Sequence, residues 1–597
     1  QVISGYPGTP SSEIIDTLSG MDERNFYVEW SVNEKVAMEV AAGAAWSGVR
    51  SVVTMKHVGL NVAADPLMTL AYTGVKGGMI IIVADDPSCH SSQNEQDTRK
   101  YADFSLVPCL DPSTIQEAKD MIPYAFELSE KFEIPVIFRP TTRISHGKSD
   151  VEPGEVVENR PSAHFEKLID RWVMLPKNAR VRHSHLLGIQ DSISKELEGS
   201  QWNELTISNG SKKIGIIASG IASVYTKEAI QNLGIDVSFL KIGTYPVPQG
   251  LIKKMLEHAD TILVIEELEP VVEDRVKIIA NEVGADTRII GKTGDLVSRT
   301  GELNVELCEN AIANAFGIQG KFKTKSAMIA TENIADSKMD ADGAIDIELP
   351  LRPPAMCPGC SHRAVYHSMK KVFGNDAVYP SDIGCYTLGV QSGTVETTLC
   401  MGSSITLASG IYHAGESRPI CCSIGDSTFF HTGMNGLMNA VYNKANITVT
   451  ILDNRVTAMT GHQPNPGMGE TATGEPTIEM SIEKLCRGLG AEFVEVVDAY
   501  DCKATEEIFK RAKEYNGTSV VIAEQACVIN ARRMGIKHKP CVVDVKKCTG
   551  CKQCVKFGCP AIEFDAKGKH SKITALCTGC GVCAQICKFD AISEVGK

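Results

Sequence analysis

The cysteines near the C-terminus constrain the fold of this chain more than any other feature. Nine of the 21 cysteines lie between Cys541 and Cys587, in a segment too short to build a large apolar core. Eight of them form two runs, Cys548-x2-Cys551-x2-Cys554-x4-Cys559 and Cys577-x2-Cys580-x2-Cys583-x3-Cys587. Two-residue spacings let successive thiolates converge on one Fe4S4 cube, and the last cysteine of each run usually reaches the other cluster. The spacing predicts [4Fe-4S] cluster A on Cys548, Cys551, Cys554 and Cys587, and cluster B on Cys577, Cys580, Cys583 and Cys559.

Other interpretations of these cysteines explain less of the pattern. A structural zinc site takes four ligands and needs fewer such triplets, and disulfides suit short secreted chains, whereas this chain is long and shows no signal-peptide pattern. The two runs resemble those of bacterial two-cluster ferredoxins. They depart from that family in two places: four residues separate Cys554 from Cys559, and Lys588 follows Cys587 where the family has proline. The resemblance implies a C-terminal ferredoxin-like α+β module that carries electrons.

Composition indicates that the rest of the chain is a soluble α/β protein. Its 597 residues suggest about four folding units, and 43% of them are hydrophobic, enough for several cores. The net charge of −13 disfavours nucleic-acid binding, and no apolar run approaches the roughly 18 residues that span a bilayer. Clustered free thiols indicate the cytoplasm. Because the chain opens at Gln1, without methionine and with residues typical of the end of a strand, we expect further residues upstream.

Three α/β units precede the cysteine-rich module. Short apolar runs, for example 79–83, 261–265 and 448–452, predict the buried strands of parallel sheets. Polar and poorly periodic stretches separate the units, and the first stretch has helical content. The predicted organisation is a first unit at 1–176, a linker at 177–211, a second unit at 212–320, a linker at 321–349, a third unit at 350–538 and the cysteine-rich module at 539–597.

The third unit carries a candidate cation and diphosphate site. Asp426 and Asn454 each follow an apolar strand and are 28 residues apart, which one strand–helix–strand crossover can span. With the carbonyl of Val456, they offer the hard oxygen ligands that Mg²⁺ prefers. The pattern resembles the thiamine diphosphate motif, Gly-Asp-Gly followed by Asn-Asn, with Ser427 and Asp453 as departures. The resemblance implies thiamine diphosphate and Mg²⁺ at Gly425, Asp426, Ser427, Asn454 and Val456.

Four further cysteines surround the same unit. Cys357 and Cys360 form a Cys-x2-Cys pair, Cys385 follows 25 residues later, and Cys527 lies far downstream. By themselves they also fit a redox pair or a zinc site. The arrangement resembles the cluster nearest the cofactor in 2-oxoacid:ferredoxin oxidoreductases. That resemblance implies a third [4Fe-4S] cluster, the near cluster, on these four cysteines.

The first unit resembles the other half of a thiamine diphosphate site. Such enzymes supply a glutamate to the aminopyrimidine ring, and Glu34, in the segment 33–43, stands in the matching place; alone, it would be an ordinary charge at a helix start. The segment 5–13 resembles the Tyr-Pro-x-Thr-Pro segment of the same oxidoreductases, where the threonine, here Thr9, contacts the substrate carboxylate. Ser11 or Ser12 is the expected helix cap. Further candidate substrate-binding residues are His57, Asn61 and Arg99.

Over almost its whole length the chain resembles the 2-oxoacid:ferredoxin oxidoreductases, most of all the large subunit of the indolepyruvate branch. The family implies a multidomain α/β fold with pyrimidine-type and diphosphate-type thiamine-binding units, a transketolase C-terminal-like middle domain and the ferredoxin-like tail. It also implies oxidative decarboxylation of aryl 2-oxoacids with coenzyme A. The expected partners are a smaller β subunit in an α2β2 assembly and a soluble ferredoxin.

Alternatives to this activity remain open at this point. The substrate of the enzyme could be pyruvate or a branched-chain 2-oxoacid. A non-oxidative thiamine enzyme would share Glu34, Asp426 and Asn454 but has no use for twelve cluster thiolates. An electron-transfer or scaffold subunit with a vestigial thiamine site would keep the tail and ignore 2-oxoacids.

Overall fold

Two compact units make up the part of the chain that the computed structural model describes. The described residues are 1–22, 24–154, 161–210, 213–318, 354–536 and 538–595, with 1–318 in the first unit and 354–595 in the second. The linker predicted at 321–349 lies outside these residues.

The first unit alternates strands and helices along the chain. Its strands are β1 (Val2–Gly5), β2 (Tyr27–Trp30), β3 (Ser51–Lys56), β4 (Met79–Ala84), β5 (Cys109–Leu110), β6 (Val136–Phe138), β7 (Glu204–Thr206), β8 (Ile214–Ser219), β9 (Ser238–Ile242), β10 (Thr244–Tyr245), β11 (Thr261–Ile265) and β12 (Arg288–Ile290). Its helices are α1 (Ser12–Ser19), α2 (Glu34–Trp46), α3 (His57–Val62), α4 (Ala64–Thr73), α5 (Thr98–Ser105), α6 (Ile115–Phe132), α7 (Thr142–His146), α8 (Ile169–Trp172), α9 (Pro176–Glu198), α10 (Ala222–Leu233), α11 (Gln249–His258), α12 (Val271–Val283) and α13 (Val305–Phe316).

A seven-stranded sheet in the order β10-β5-β6-β4-β3-β1-β2 forms the N-terminal part of the first unit. All neighbours pair in parallel except β10 with β5. All six residues of β4 are buried, because helices cover both faces of a parallel sheet. The apolar run at 79–83 is therefore a central strand, as predicted.

A second sheet in the order β12-β11-β8-β9-β7 follows, parallel except at β7. Most of α9 and the edge strand β7 lie within the stretch predicted as a linker with helical content, 177–211. Leu186, Ile193 and Leu197 of α9 are buried in a hydrophobic core that residues of both sheets share. The chain also continues from β9 of the second sheet directly into β10, which pairs with β5 of the first sheet. The two predicted α/β units therefore form one compact body.

The second unit contains a parallel sheet and two small ribbons. Its strands are β13 (Cys421–Gly425), β14 (Thr448–Asp453), β15 (Phe493–Asp498), β16 (Ser519–Glu524), β17 (Cys541–Val543), β18 (Ile562–Asp565), β19 (His570–Ile573) and β20 (Ile592–Glu594). Its helices are α14 (Ser361–Phe373), α15 (Ser403–His413), α16 (Asp426–Thr428), α17 (Met434–Tyr442), α18 (Ile482–Gly488), α19 (Cys502–Glu514), α20 (Val528–Arg533), α21 (Gln553–Lys556) and α22 (Val582–Ile586).

The main sheet of the second unit has the order β13-β14-β16-β15, with every neighbour parallel. The C-terminal module is built from the antiparallel ribbons β17-β20 and β18-β19 and from two short helices. Its small core includes cysteines among its buried residues. In the described part of either unit, no helix has both the length and the apolar character that crossing a membrane requires.

Candidate active site

Polar side chains follow two neighbouring parallel strands of the second unit. β13 ends at Gly425 and β14 ends at Asp453, and the two strands pair directly. Asp426 and Asn454 therefore emerge at the same carboxyl edge, where α/β sheets bind ligands. The Val456 N–H lies 3.2 Å from Asp426 Oδ2 and 3.2 Å from Asn454 Oδ1. The two predicted oxygen ligands thus face one backbone group, whereas the role of the Val456 carbonyl stays a prediction.

Negative charge at this edge is buried. Burial and then the charge of Asp453 raise the pKa of Asp426 to about 7. Burial also raises the pKa of Asp453, although Arg455 Nε lies 3.3 Å from its Oδ2. Asn465, which lies outside the motif, donates from Nδ2 to Asp426 Oδ2 over 2.9 Å. Buried carboxylates beside an amide oxygen are the hard donors that suit Mg²⁺, so the residues present fit the predicted cation.

The residues flanking Asp426 are tightly enclosed. A Cβ on Gly425 would come 2.7 Å from Cε1 of Tyr386, so a side chain there would force the ring to move. Ser427 Oγ accepts a hydrogen bond of 2.9 Å from Thr457 Oγ1. A π-helical turn, Phe429–Gly433, follows α16, and such turns are frequent at functional sites.

The four cysteines of the predicted near cluster lie in one neighbourhood of the second unit. Burial, and then the charges of Cys360, Cys527 and Cys357, raise the pKa of the Cys385 thiol to about 12. Burial likewise raises the pKa of Cys360 to about 11. Thiolates grouped in this way are costly without a cation, and bound metal deprotonates coordinating thiols. The four thiols are therefore close enough to influence one another, and their role as cluster ligands stays a prediction.

Asn454 connects the near-cluster cysteines with the oxygen-ligand edge. Its backbone carbonyl accepts a 2.9 Å hydrogen bond from the Cys527 N–H. Its side-chain Nδ2 lies 3.3 Å from Nε2 of His362, two residues after Cys360. Burial lowers the pKa of His362 to about 4, which keeps the ring neutral and able to accept this bond. His362 thus orients the Asn454 amide, a role that the sequence pattern did not reveal.

The C-terminal module contains two cysteine-lined cavities. One is lined by Cys548, Cys551, Cys554 and Cys587, the set predicted for cluster A. The other is lined by Cys559, Cys577, Cys580 and Cys583, the set predicted for cluster B, together with Cys541. Backbone N–H groups of Cys541 and Ala591 donate to the sulfurs of Cys577 and Cys587, each over 3.4 Å. Hydrogen bonds to ligand sulfurs are a known means of setting cluster potentials.

The near-cluster loop lies directly against the cluster B cavity. Gly359, between Cys357 and Cys360, lines that cavity. The Tyr500 hydroxyl donates to the Gly359 carbonyl over 2.6 Å, and Gln585 Nε2 donates to the Tyr500 carbonyl over 2.8 Å. The parallel-sheet domain and the ferredoxin-like module of the second unit therefore contact each other between the two predicted cluster sites.

In the first unit, Glu34 is the first residue of α2 and is buried. The Asn33 side chain caps the helix by accepting from the Val36 N–H over 2.9 Å. A Cβ on Gly59 would lie 2.6 Å from Glu34 Oε1, so glycine is needed for the carboxylate to occupy its place. The structure thus holds Glu34 in one defined position within its own unit.

The Thr9 loop differs from the prediction in its helix cap. Ser11 Oγ donates to the Gly8 carbonyl over 2.7 Å, and the Gly8 N–H donates to Ser12 Oγ over 2.8 Å. Ser11 occupies the N-cap position of α1 as expected, but its side chain makes no capping hydrogen bond, because both serine hydroxyls bond to Gly8 of the loop. The Thr9 carbonyl accepts a 3.1 Å hydrogen bond from Ser91 Oγ, which fixes the loop to the segment after β4.

His57 and Asn61 lie on the short helix α3. His57 is buried, its Nε2 lies 3.1 Å from the Asn94 carbonyl, and burial lowers its pKa. Asn61 is exposed; its Nδ2 donates to Gln96 Oε1 over 2.9 Å, and its Oδ1 accepts from Tyr101. Substrate contacts by these two side chains stay predictions.

Arg99 has a structural role that contradicts its predicted contact with substrate. Its side chain is 1% exposed and forms a bidentate pair with Asp97, with Nε–Oδ1 at 2.9 Å and Nη2–Oδ2 at 2.6 Å. Nη1 donates to Glu266 Oε2 over 2.8 Å, and Nη2 donates to the Glu267 carbonyl over 2.7 Å. Arg99 therefore fastens α5 to the second sheet, and its donors are occupied by the protein itself.

Comparisons with known proteins identify the family and the domains of this chain. Family models match residues 1–174 (pyruvate flavodoxin/ferredoxin oxidoreductase, thiamine diP-bdg), 382–523 (thiamine pyrophosphate enzyme, C-terminal TPP binding domain) and 571–593 (4Fe-4S binding domain). The indolepyruvate oxidoreductase subunits IorA of Pyrococcus abyssi and Thermococcus kodakarensis are each 45% identical to this chain. That of Methanothermobacter marburgensis is 42% identical. Each match covers all of this chain and 94% of the relative.

The chain belongs to the indolepyruvate oxidoreductase IorA family. The predicted family and the α/β fold class with its ferredoxin-like module are confirmed. As a member of the IorA family, the chain carries thiamine diphosphate-binding domains and a 4Fe-4S domain. The individual ligands and the domain boundaries stay predictions.

Metal binding by this IorA-family chain should depend on pH through Asp426. In the metal-free protein this carboxyl keeps a proton up to about pH 7 that the unfolded chain releases near its ordinary pKa of about 4. The contribution of Asp426 to stability therefore falls as the pH rises between those values. Because the proton competes with the cation, Mg²⁺ with thiamine diphosphate should raise the melting temperature more at pH 8 than at pH 6. Thermal unfolding at both pH values measures this.

The matched control is Asp426→Asn, which keeps the shape of the side chain and removes its titration. In this variant, the rise in melting temperature caused by Mg²⁺ and thiamine diphosphate should differ less between pH 8 and pH 6. The comparison therefore separates Asp426 from other titrating groups. Identical pH dependence in the wild type and the variant would contradict the assignment.

Proposed function

We propose that this chain catalyses the ferredoxin-dependent oxidative decarboxylation of aryl 2-oxoacids. Indolepyruvate and similar acids would react with coenzyme A to give aryl-acetyl-CoA and carbon dioxide. The observation that carries the proposal is the junction at Asn454. The side chain of Asn454 lies at the candidate diphosphate edge, and its backbone carbonyl accepts a hydrogen bond from Cys527, a candidate cluster ligand. This junction supports the proposal that carbon chemistry and electron transfer take place side by side.

Thiamine diphosphate, when bound, would supply the electron sink for decarboxylation. Asp426, Asn454 and the Val456 carbonyl would hold Mg²⁺, and Gly425 and Ser427 would line the diphosphate. Glu34 would share a proton with the aminopyrimidine nitrogen through its carboxylate oxygen. Its burial keeps that carboxylate away from water, and Gly59 fixes its position.

Three [4Fe-4S] clusters would then carry electrons outward. The near cluster would use Cys357, Cys360, Cys385 and Cys527, and the tail would hold clusters A and B on the two cavity-lining sets. Gly359, in the loop between Cys357 and Cys360, lines the cluster B cavity, which supports electron transfer from the near cluster to cluster B. Cys551, at the cluster A cavity, is exposed, which is the condition that a surface acceptor requires.

The proposed assembly includes partners that this chain does not contain. We expect a smaller β subunit in an α2β2 complex and a soluble ferredoxin as acceptor, working in the cytoplasm under anaerobic conditions. The relatives of this chain are themselves named as subunits, which supports a partner.

The proposal is tested by product analysis of the purified complex under anaerobic conditions. Release of carbon dioxide from indolepyruvate should require coenzyme A and an electron acceptor, and should fall with pyruvate or a branched-chain acid as substrate. Release without an acceptor would indicate a non-oxidative thiamine enzyme. No release from any 2-oxoacid in the presence of thiamine diphosphate and Mg²⁺ would favour an electron-transfer or scaffold subunit.

A further inference from the structure

Lys56 is a buried cation at the ligand-binding edge of the first sheet. It is the last residue of β3 and is followed directly by α3, at the carboxyl edge where parallel sheets bind ligands. Its side chain is 8% exposed. Burial lowers its pKa to about 8, so the ammonium is still mostly charged at neutral pH.

The Thr9 loop covers this lysine. A Cβ on Gly8 would come 3.1 Å from both Cγ and Cδ of Lys56, so the loop rests on the aliphatic stem. Lys56 Nζ donates to the Ser91 carbonyl over 2.9 Å, and Ser91 Oγ donates to the Thr9 carbonyl over 3.1 Å. Two hydrogen bonds therefore connect the ammonium to the residue implied in carboxylate binding.

The first unit places negative charge near this ammonium, but no carboxylate of its described residues forms an ion pair with it. Within residues 1–318 as described, Lys56 makes its one hydrogen bond to a neutral carbonyl and forms no ion pair. Asp86 and Glu34 are close enough to favour its charge. However, the Asp86 oxygens already accept from the Ser91 N–H and from the hydroxyls of Ser92 and Thr142. A buried charge without a partner is costly, and a ligand carboxylate would remove that cost.

Two buried arginines of the first unit already pair with carboxylates. Arg99 is occupied by Asp97 and Glu266. Arg139 pairs with Asp85 at 2.6 Å and with Asp111 at 3.1 Å. Arg139 Nη2 also has no hydrogen-bond partner among the described residues, but two carboxylates already balance the charge of that guanidinium. Lys56 differs from both arginines, because it forms no ion pair and two of its three N–H donors have no acceptor among the described residues.

We propose that Lys56 binds the carboxylate of the 2-oxoacid substrate, next to Thr9. This inference rests on the proposed function and replaces Arg99 with Lys56 as the substrate cation. The ligand class is an organic carboxylate with an adjacent carbonyl, held by a charged N–H···O bond from Nζ.

The test uses Lys56→Gln, which keeps an N–H donor for the Ser91 carbonyl and removes the charge. A hydrogen bond to a charged group is worth enough to change affinity by roughly 10- to 100-fold. We expect KM for indolepyruvate to rise by about that factor with little change in kcat. The dissociation constant of the unreactive carboxylate indole-3-acetate, measured by calorimetry, should rise in parallel. Lys56→Arg should recover part of the affinity.

Two controls separate binding from folding. Lys35→Gln changes an exposed lysine paired with Glu39. It should leave the KM for indolepyruvate and the dissociation constant of indole-3-acetate unchanged. Indole-3-acetamide lacks the carboxylate charge, so its affinity should be the same in the wild type and in Lys56→Gln. Equal weakening of the acid and the amide, or unchanged KM, overturns the role of Lys56. A wild type that releases no carbon dioxide from any aryl 2-oxoacid overturns the proposed function and this site with it.

Discussion

Replacing Glu34 with glutamine should lower turnover of indolepyruvate by at least 100-fold while leaving iron content unchanged. The amide keeps the shape of the carboxyl group over Gly59 but cannot share a proton with the aminopyrimidine ring. Loss of a positioned acid–base group typically costs about 10²- to 10⁴-fold in rate. Steady-state reduction of ferredoxin measures the loss, and iron analysis measures the clusters.

The control for this variant lies on the same helix. Glu39→Gln changes an exposed glutamate that pairs with Lys35 on α2, so it removes a negative charge without touching the buried position. It should retain wild-type turnover. Normal activity in Glu34→Gln would refute the assigned role, and a matching loss in Glu39→Gln would attribute the effect to the stability of α2.

Replacing Cys385 with alanine should disconnect the thiamine site from the tail. With three [4Fe-4S] clusters, iron should fall from about 12 to about 8 atoms per chain. Reduction of the tail clusters by a 2-oxoacid should fall by at least 100-fold, because the proposed near cluster would lie between the proposed site of decarboxylation and the tail. Dithionite should still reduce clusters A and B.

Cys400 provides the matched control for this variant. It is an exposed cysteine in the same unit and belongs to none of the predicted cluster sets. Cys400→Ala should keep the iron content and the substrate-driven reduction of the wild type. Full iron content in Cys385→Ala would remove Cys385 from the ligand set, whereas intact substrate-driven reduction would remove the near cluster from the path.

The sequence predicted best the features that depend on short spacings. The two-residue spacings bring the first three cysteines of each run to one cavity, because neighbouring residues in a tight loop share a site, and the last cysteine of the other run also lines that cavity. Asp426 and Asn454 also meet as expected, since the ends of adjacent parallel strands share one edge. These outcomes follow from local geometry and from the regular crossover of α/β units.

Contacts between distant residues could not be predicted in this way. The pairing of Arg99 with Glu266 joins residues that are 167 positions apart. The residues adjacent to Arg99 in the sequence do not indicate this partner. In the same way, no local pattern relates Asn465 to Asp426 or His362 to Asn454. Residues 177–211 looked like a linker because α9 buries only a few of its side chains, among them Leu186 and Ile193.

The most direct test of the central claim is low-temperature EPR of the purified protein with its native partner under anaerobic conditions. Mixing with indolepyruvate and coenzyme A should produce signals of reduced iron–sulfur clusters that are missing from the control without substrate. That result would show that 2-oxoacid chemistry and the clusters are coupled in one enzyme. The account would be contradicted if dithionite produced those signals but no 2-oxoacid did, with thiamine diphosphate and Mg²⁺ present.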